Sequence, residues 1–193
     1  MNEEIEKITK FMTIKRDVIE ETINDERSTK FAVFLIAISI ALGLIQSILQ
    51  SFLAPDVMEV ILGLFGFPTP SYVRIIMDAI ASNIIFPILV IVLTFYIGNA
   101  LKGEAESLNH VVRAIGYSVP PLIISSALSF LSLIPYVGIF LSFLNFVFGL
   151  WFVIIVIVAL MITFKKGALT GIGSVILSAI IAGIAMAWTF IIP

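Results

Sequence analysis

The sequence predicts an all-α, polytopic membrane protein. The predicted fold is a bundle of five transmembrane helices with the N-terminus inside, the C-terminus outside and an N-terminal amphipathic interfacial helix. Of its 193 residues, 60% are hydrophobic and 12% are charged, whereas soluble domains carry about 45–50% apolar and about 25% charged residues. Long apolar runs follow a charged N-terminal segment, and the Lys and Arg residues fall almost entirely on alternate connections. These three observations carry the prediction.

Each long apolar run is long enough for a spanning helix, which needs about 20 mostly apolar residues. The predicted spans are residues 31–54, 76–100, 114–134, 137–164 and 169–192. Residues 1–30 form a predicted cytoplasmic arm, and residues 31–193 form the predicted membrane domain. The chain contains no cysteine, which excludes disulfides and thiol chemistry.

The distribution of Lys and Arg gives the bundle a direction. Ten of the 11 basic residues lie in the arm and in the second and fourth connections, and only Arg74 lies on the other side. Because cytoplasmic loops carry the excess of Lys and Arg, the arm is predicted to be cytoplasmic. An odd number of spans then places the C-terminus outside.

The arm is predicted to form one amphipathic helix over Glu3–Ile23, because apolar residues recur at helical spacing along it. Asn24 and Asp25 are expected to end this helix. Two interpretations stay open. The apolar stripe packs on the protein's own bundle, or it docks a partner helix.

The first outer connection, residues 56–72, contains an apolar stretch that is too short to span a membrane. Gly66, Pro68 and Pro70 then break the helical pattern. This connection is predicted to form a short interfacial or re-entrant helix.

Few residues in the spans can carry chemistry. Asp78 is the one acid placed near a span, and Arg74 lies on the same helical face four residues earlier, which favours an interfacial ion pair over an ion site. Asn145 is central in the fourth span and is expected to form a hydrogen bond across helices. His110 is the only histidine, and no nucleophile, metal or nucleotide motif is found. The sequence therefore predicts no enzyme, no cofactor and no metal site, and the net charge of −2 disfavours nucleic acid.

The third span is predicted to be irregular. Ser107 is a candidate N-cap for a helix that begins at Leu108. Pro120 and Pro121 remove hydrogen-bond donors from the carbonyls of Gly116 and Tyr117, which predicts a kink over Tyr117–Pro121. In hydrocarbon these carbonyls need other partners, and Ser118 or a neighbouring helix could supply them.

The last span carries small residues at i, i+4 spacing, which let helices approach closely. Such rows serve packing inside the bundle or homo-oligomerisation.

The segment GEAESLNHVVRAIGYSVP, residues 103–120, resembles the core of the Yip domain family. The turn at residues 134–138, Trp151 and the segment 165–177 fit the same pattern. The resemblance implies about five spans and no catalytic residues. Eukaryotic members interact with Ypt/Rab-type GTPases and shape vesicle traffic, and their cytosolic N-terminal region is usually longer than this arm. The short arm and the Ile-rich composition are more similar to prokaryotic members.

The sequence thus favours a non-enzymatic scaffold or partner-docking protein of the cell membrane, with the lipid bilayer and a membrane or cytoplasmic protein as partners. The alternative is a small-solute or ion transporter or channel with its site at the broken third helix. The candidate residues for either role are Asp78, Asn145, Gly116, Tyr117, Pro120 and Pro121.

Overall fold

The computed structural model describes residues 2–53, 72–133 and 138–191, and within these ranges the secondary structure is helical. In chain order the helices are α1 (Asn2–Met12), α2 (Arg16–Asn24), α3 (Ser28–Leu53), α4 (Tyr72–Ile80), α5 (Phe86–Ala100), α6 (Leu108–Ser118), α7 (Pro120–Ser129), α8 (Gly138–Thr163) and α9 (Ala168–Ile191). A π-helical turn joins α4 to α5, and a short 3-10 turn follows α7.

The prediction of a polytopic helical bundle is confirmed. Four segments of the described chain are long and apolar enough to cross a membrane: α3, α4 with α5, α8 and α9. The pair α6 and α7 makes a fifth span if it is counted as one bent helix, with a bend of 43°. The re-entrant helix expected over residues 56–71 and the turn expected at residues 134–137 lie outside the described residues.

The second span changes its helical register in the middle. The turn Ala81–Ile85 is π-helical, and the amide of Phe86 donates to the carbonyl of Ala81. Pro87 follows directly and cannot donate to the carbonyl of Asn83. A one-turn π-bulge of this kind absorbs such a missing bond inside a long helix. The span therefore continues unbroken from Tyr72 to Ala100.

The arm forms two helices, so the prediction of one helix over Glu3–Ile23 is wrong. Met12 ends α1, and Ile14 takes the left-handed conformation with φ 59°. The Lys15 amide donates to the Lys10 carbonyl at 3.2 Å and the Ile14 amide to the Phe11 carbonyl at 3.0 Å. This is the Schellman arrangement that ends helices. The end at Asn24 and Asp25 is confirmed.

The two arm helices turn their apolar sides to the bundle. Phe11, Ile19 and Ile23 are buried, and they belong to the same apolar cluster as the residues of α6 and α8. Lys7 of α1 reaches Asp25 at the end of α2, with 3.3 Å between Nζ and Oδ2. The interpretation that the stripe packs on the protein's own bundle is therefore the one that the structure supports.

The last helix uses one of its two rows of small residues for packing. Ser174, Ser178 and Ala182 are fully buried. On the other row, a Cβ atom added at Gly183 would meet nothing within 4 Å. The first row thus lets α9 approach the bundle, and the second lies at its surface.

Candidate functional site

Tyr117 connects the arm to the centre of the bundle. Its side chain is fully buried, and its hydroxyl donates a hydrogen bond to Oε2 of Glu4 at 2.5 Å. Its ring lies against Phe11 and Phe31, at centroid distances of 5.6 and 5.9 Å. A buried tyrosine normally needs a partner for its hydroxyl. Here the partner comes from α1, which ties the arm to the third span.

Gly116 lies where α6 crosses α3. A Cβ atom at this position would fall 2.7 Å from both the Cβ and the carbonyl oxygen of Ala32. Only a residue without a side chain allows this approach of the two backbones. Gly116 therefore allows α3 to pack closely against α6, and the neighbouring Tyr117 binds the arm.

The predicted kink is present, at Val119 between α6 and α7. Pro120 and Pro121 are buried there. The Gly116 carbonyl accepts the Val119 amide at 3.3 Å, a tighter turn than in an α-helix. Ser118 does not supply the partner considered for it, because its hydroxyl donates to the Ala114 carbonyl at 2.6 Å.

Asn145 joins α8 to α7, on the far side of the kink from the arm. Its side-chain oxygen accepts the Ser125 hydroxyl at 2.9 Å, and its Nδ2 donates to the Ser129 hydroxyl at 2.8 Å. Both ends of the amide are thus used in contacts between helices. Such bonds contribute about 0.6 kcal/mol each in membrane bundles.

Asp78 lies at an exposed position of α4. Its Oδ2 atom is 3.9 Å from Nε of Arg74, and the two side chains are 45% and 61% exposed. This geometry fits the interfacial ion pair that the spacing favours. None of the six candidate residues lines the apolar cavity beside the kink, and they do not form one site around it.

An apolar cavity of about 310 Å³ lies between the helices beside the kink. Val119 and Leu122 line it, together with Phe152 and the polar Asn83 and Thr94. Asn83 donates to the Ser47 hydroxyl at 2.9 Å. Among the described residues, the Thr94 hydroxyl has no hydrogen-bond partner.

The two connections on the same side as the arm are held together. Asn99 pairs with the backbone of Ala105, through bonds of 3.2 and 3.1 Å that involve both the amide and the carbonyl of Ala105. Glu104 meets Lys166 at 2.8 Å, and Glu106 meets Lys165 at 3.4 Å.

The ring of Phe164 packs beneath these contacts, which together clamp the connections 101–107 and 164–167. It is fully buried and fills the space where Gly98 and Gly103 have no side chains. The backbone carbonyl of Phe164 also accepts the Glu104 amide at 3.0 Å. The connection after α5 therefore has a defined conformation.

Ser107 occupies the N-cap position of α6, as predicted, but its hydroxyl makes no cap hydrogen bond. It lies 2.8 Å from Nδ1 of His110 instead. Within the described ranges, no three His, Asp or Glu side chains are grouped in a way that could hold a metal ion.

Asp25 fastens the arm at the entry to the first span. Burial alone would raise the pKa of its carboxyl group. Hydrogen bonds from the Arg27 amide, the Ser28 hydroxyl and the Lys7 ammonium outweigh that effect and hold the pKa below its ordinary value of 3.8. Each of the three distances is between 3.0 and 3.3 Å. The ionised form of Asp25 therefore stabilises the fold.

The hydrogen bonds to the Asp25 carboxylate predict that the stability of the protein depends on pH. We expect Asp25→Ala to lower the free energy of unfolding by about 2 kcal/mol near neutral pH, because the carboxylate loses its hydrogen bonds from the Arg27 amide, the Ser28 hydroxyl and the Lys7 ammonium. A lowered pKa in the folded state gives stability that is present above pH 3.8 and is lost as the pH falls through the folded pKa. The difference from wild type should thus shrink on acidification. Unfolding in detergent at about pH 7 and about pH 3 measures it.

The control is Glu20→Ala, because Glu20 is exposed on α2. Its small effect should be the same at both pH values. A difference between wild type and Asp25→Ala that stays constant on acidification would contradict the role given to the carboxylate.

Sequence reasoning missed three residues that matter in this region. Nothing in the sequence distinguishes Glu4 from the other charged residues of the arm, although it is the partner of Tyr117. Arg113 belongs to the second predicted connection, yet it is 2% exposed. Phe164 is the last residue of the fourth predicted span, with no sign in the sequence of its packing role. Each depends on contacts between distant parts of the chain, for which periodicity gives no signal.

The fold and this geometry define a class: a multi-pass helical membrane protein whose N-terminal arm is packed into the bundle. Comparison with protein families then gives a match to the Yip1 domain over residues 10–190, nearly the whole chain. The chain belongs to the Yip1 domain family. No curated protein matches it. No solved structure matches it either. The family match begins inside α1, so the packed arm falls largely within the matched region.

Proposed function

We propose that the protein is a non-enzymatic scaffold of the cell membrane that docks a partner on its cytoplasmic side. The observation that carries this proposal is the placement of the arm. Its apolar side is used by the protein's own bundle, through Phe11, Ile19 and Ile23. Its outer side is polar and faces away from the bundle. A packed arm of this kind offers a partner an ordered surface, whereas an unpacked arm would be a flexible segment.

The docking surface that we propose is the outer face of α2 with the two clamped connections, residues 101–107 and 164–167. Pre-organised surfaces lose less entropy on binding than flexible ones. The clamp of Asn99 on Ala105 and the pair Glu104–Lys166 provide this order. The earlier alternative, in which the apolar stripe docks a partner helix, loses support because that stripe is buried.

The charge of the outer face indicates the chemistry of the partner. Asp17, Glu20 and Glu21 are exposed on α2, against one exposed cation on that helix, Arg16. Complementary charge guides association and fixes its orientation. We therefore propose a partner with a basic surface. A small GTPase is one class that family membership suggests, by analogy with eukaryotic members.

The transporter alternative has less support. A solute path needs polar groups around a wet cavity near the midplane. The amide of Asn145 instead forms hydrogen bonds with Ser125 and Ser129. The cavity beside the kink is lined mainly by apolar side chains.

Charge reversal on α2 tests the docking proposal. We expect the double variant Glu20→Lys, Glu21→Lys to weaken partner binding about tenfold or more, because it replaces attraction by repulsion. Chemical cross-linking in native membranes, followed by quantitative mass spectrometry, measures partner recovery. The matched control is Glu20→Asp, Glu21→Asp, which keeps both charges and should retain the partner.

Equal recovery from the reversed and the control variants would contradict docking through α2. Reconstitution into liposomes tests the alternative. Ion or solute flux that wild type supports and Asn145→Ala abolishes would replace the scaffold by a transporter.

A further inference from the structure

Arg113 is a buried cation with an unused donor. Its side chain is 2% exposed, and its Nε donates to the Asn109 carbonyl at 3.2 Å. Among the described residues, its Nη1 has no hydrogen-bond partner and is out of contact with solvent. An arginine keeps its charge in a protein, so burial cannot be relieved by losing a proton. A buried guanidinium without a full set of acceptors is costly, which indicates that an acceptor belongs there.

A cavity of about 670 Å³ adjoins this side chain. It lies between the turn that joins α2 to α3 and the first turns of α6. Arg113 lines it together with Thr29, Lys30 and His110. The cavity thus combines a buried guanidinium, a hydroxyl group and a second cation. Lys30 is exposed, and Thr29 is half-buried, so both lie nearer the opening.

Two cations line the cavity, Arg113 and Lys30, and the carboxylates of Glu26 and Asp25 partly offset the effect of burial on the pKa of Arg113. Two carboxylates also line it, those of Glu26 and Glu106. Glu106 already pairs with Lys165 at 3.4 Å. Glu26 is exposed and lies at the opening. An anion that binds here must therefore be small enough to reach Arg113 past Glu26.

We propose that this cavity binds a phosphate group, either from a phospholipid headgroup or as free phosphate. Phosphate oxygens match the planar fork of the guanidinium, and Arg is the residue that most often recognises them through paired bonds. The guanidinium of Arg113 must turn for Nη1 to reach the cavity and donate to one oxygen, and Thr29 and Lys30, which also line the cavity, contact the others. The predicted cytoplasmic side of the bundle places the cavity at headgroup level. The site adjoins the proposed docking surface, because Glu106 and Ser107 line the cavity and also belong to the connection 101–107.

Lipid binding by the purified full-length protein tests the site. Native mass spectrometry compares phosphatidylglycerol with diacylglycerol of the same acyl chains, which lacks the phosphate. We expect wild type to prefer the phospholipid about fivefold or more, and Arg113→Gln to abolish most of this preference. The matched control is Arg27→Gln, an exposed arginine near the same turn that does not line the cavity. It should leave the preference unchanged.

Inorganic phosphate as a competitor separates the two sources. Displacement of the phospholipid by millimolar phosphate assigns the site to free phosphate, and no displacement assigns it to the headgroup. Both outcomes support a phosphate site.

Two variants at the opening of the cavity, called the rim variants, keep the test valid if Arg113→Gln fails to fold. Lys30→Gln should weaken the phospholipid preference, and Glu26→Gln should strengthen it, because a competing carboxylate is removed. Equal binding of the two lipids by wild type would overturn the proposal. So would an unchanged preference in folded Arg113→Gln, or in both rim variants.

Discussion

Gly116→Ala should destabilise the protein by about 1–3 kcal/mol, the range for an added group in a packed core. The new methyl group would lie 2.7 Å from the backbone oxygen of Ala32 and 2.8 Å from its Cα atom. Backbone atoms cannot turn away as a side chain can, so α3 and α6 must separate. Separation would also loosen Tyr117 and the arm that it holds. Unfolding in detergent or nanodiscs measures the loss of stability.

Gly149→Ala is the matched control, because Gly149 also lies inside a long helix. An added Cβ there meets nothing within 4 Å. This variant should gain about 0.5–1 kcal/mol, since alanine is the better helix former. The combination Ala32→Gly, Gly116→Ala should recover part of the loss, because one of the clashing atoms is removed. If Gly116→Ala and Gly149→Ala shift stability in the same direction, the close approach of α3 and α6 is not a determinant of the fold.

The spans and the kink could be predicted from the sequence because each depends on local composition. A run of apolar residues must cross the bilayer wherever it is placed, and Pro120 and Pro121 remove donors in any context. Accordingly, α3, α8 and α9 begin and end within a few residues of the first, fourth and fifth predicted spans. The second span begins at Tyr72, four residues before its predicted start at residue 76.

The helix ends were harder to predict because their usual signal is missing. Ile14, Lys102 and Lys165 all take the left-handed conformation with φ between 51° and 66°, where glycine is the common residue. Schellman bonds nevertheless form after α5, where the Gly103 amide donates to the Gly98 carbonyl at 2.9 Å. Without a glycine at the turning residue, the break at Ile14 looks like a continuous amphipathic helix.

The candidate site could be predicted only in part, because its contacts are long-range. Tyr117 and Glu4 are 113 residues apart in the chain, and no spacing rule relates them. Asn145 was predicted to bridge helices because hydrocarbon offers an amide no other partners, and it does so. Which helix it would reach depended on the kink that turns α7 towards α8.

Phe164→Ala should have the largest effect among the side-chain truncations, about 3–5 kcal/mol. The ring is fully buried at the predicted cytoplasmic end of α8. It fills the space over Gly98, where an added Cβ would lie 2.0 Å from the ring. The variant leaves a cavity beneath residues 101–107. Hydrogen exchange should therefore rise at the Gly103 and Glu104 amides, which are bonded to backbone carbonyls in the wild type.

Phe146→Ala is the control, because the same truncation is made within α8, the helix that ends just before Phe164, at a side chain that is 62% exposed. It should change stability and exchange little. Gly98→Ala alone should be destabilising, whereas Gly98→Ala combined with Phe164→Ala should cost less than the sum of the two, since the methyl group then enters the space that the ring has left. Additive losses, or unchanged exchange at Gly103 in Phe164→Ala, would show that the ring does not order this connection. The docking surface proposed for residues 101–107 would then lose its rigid support.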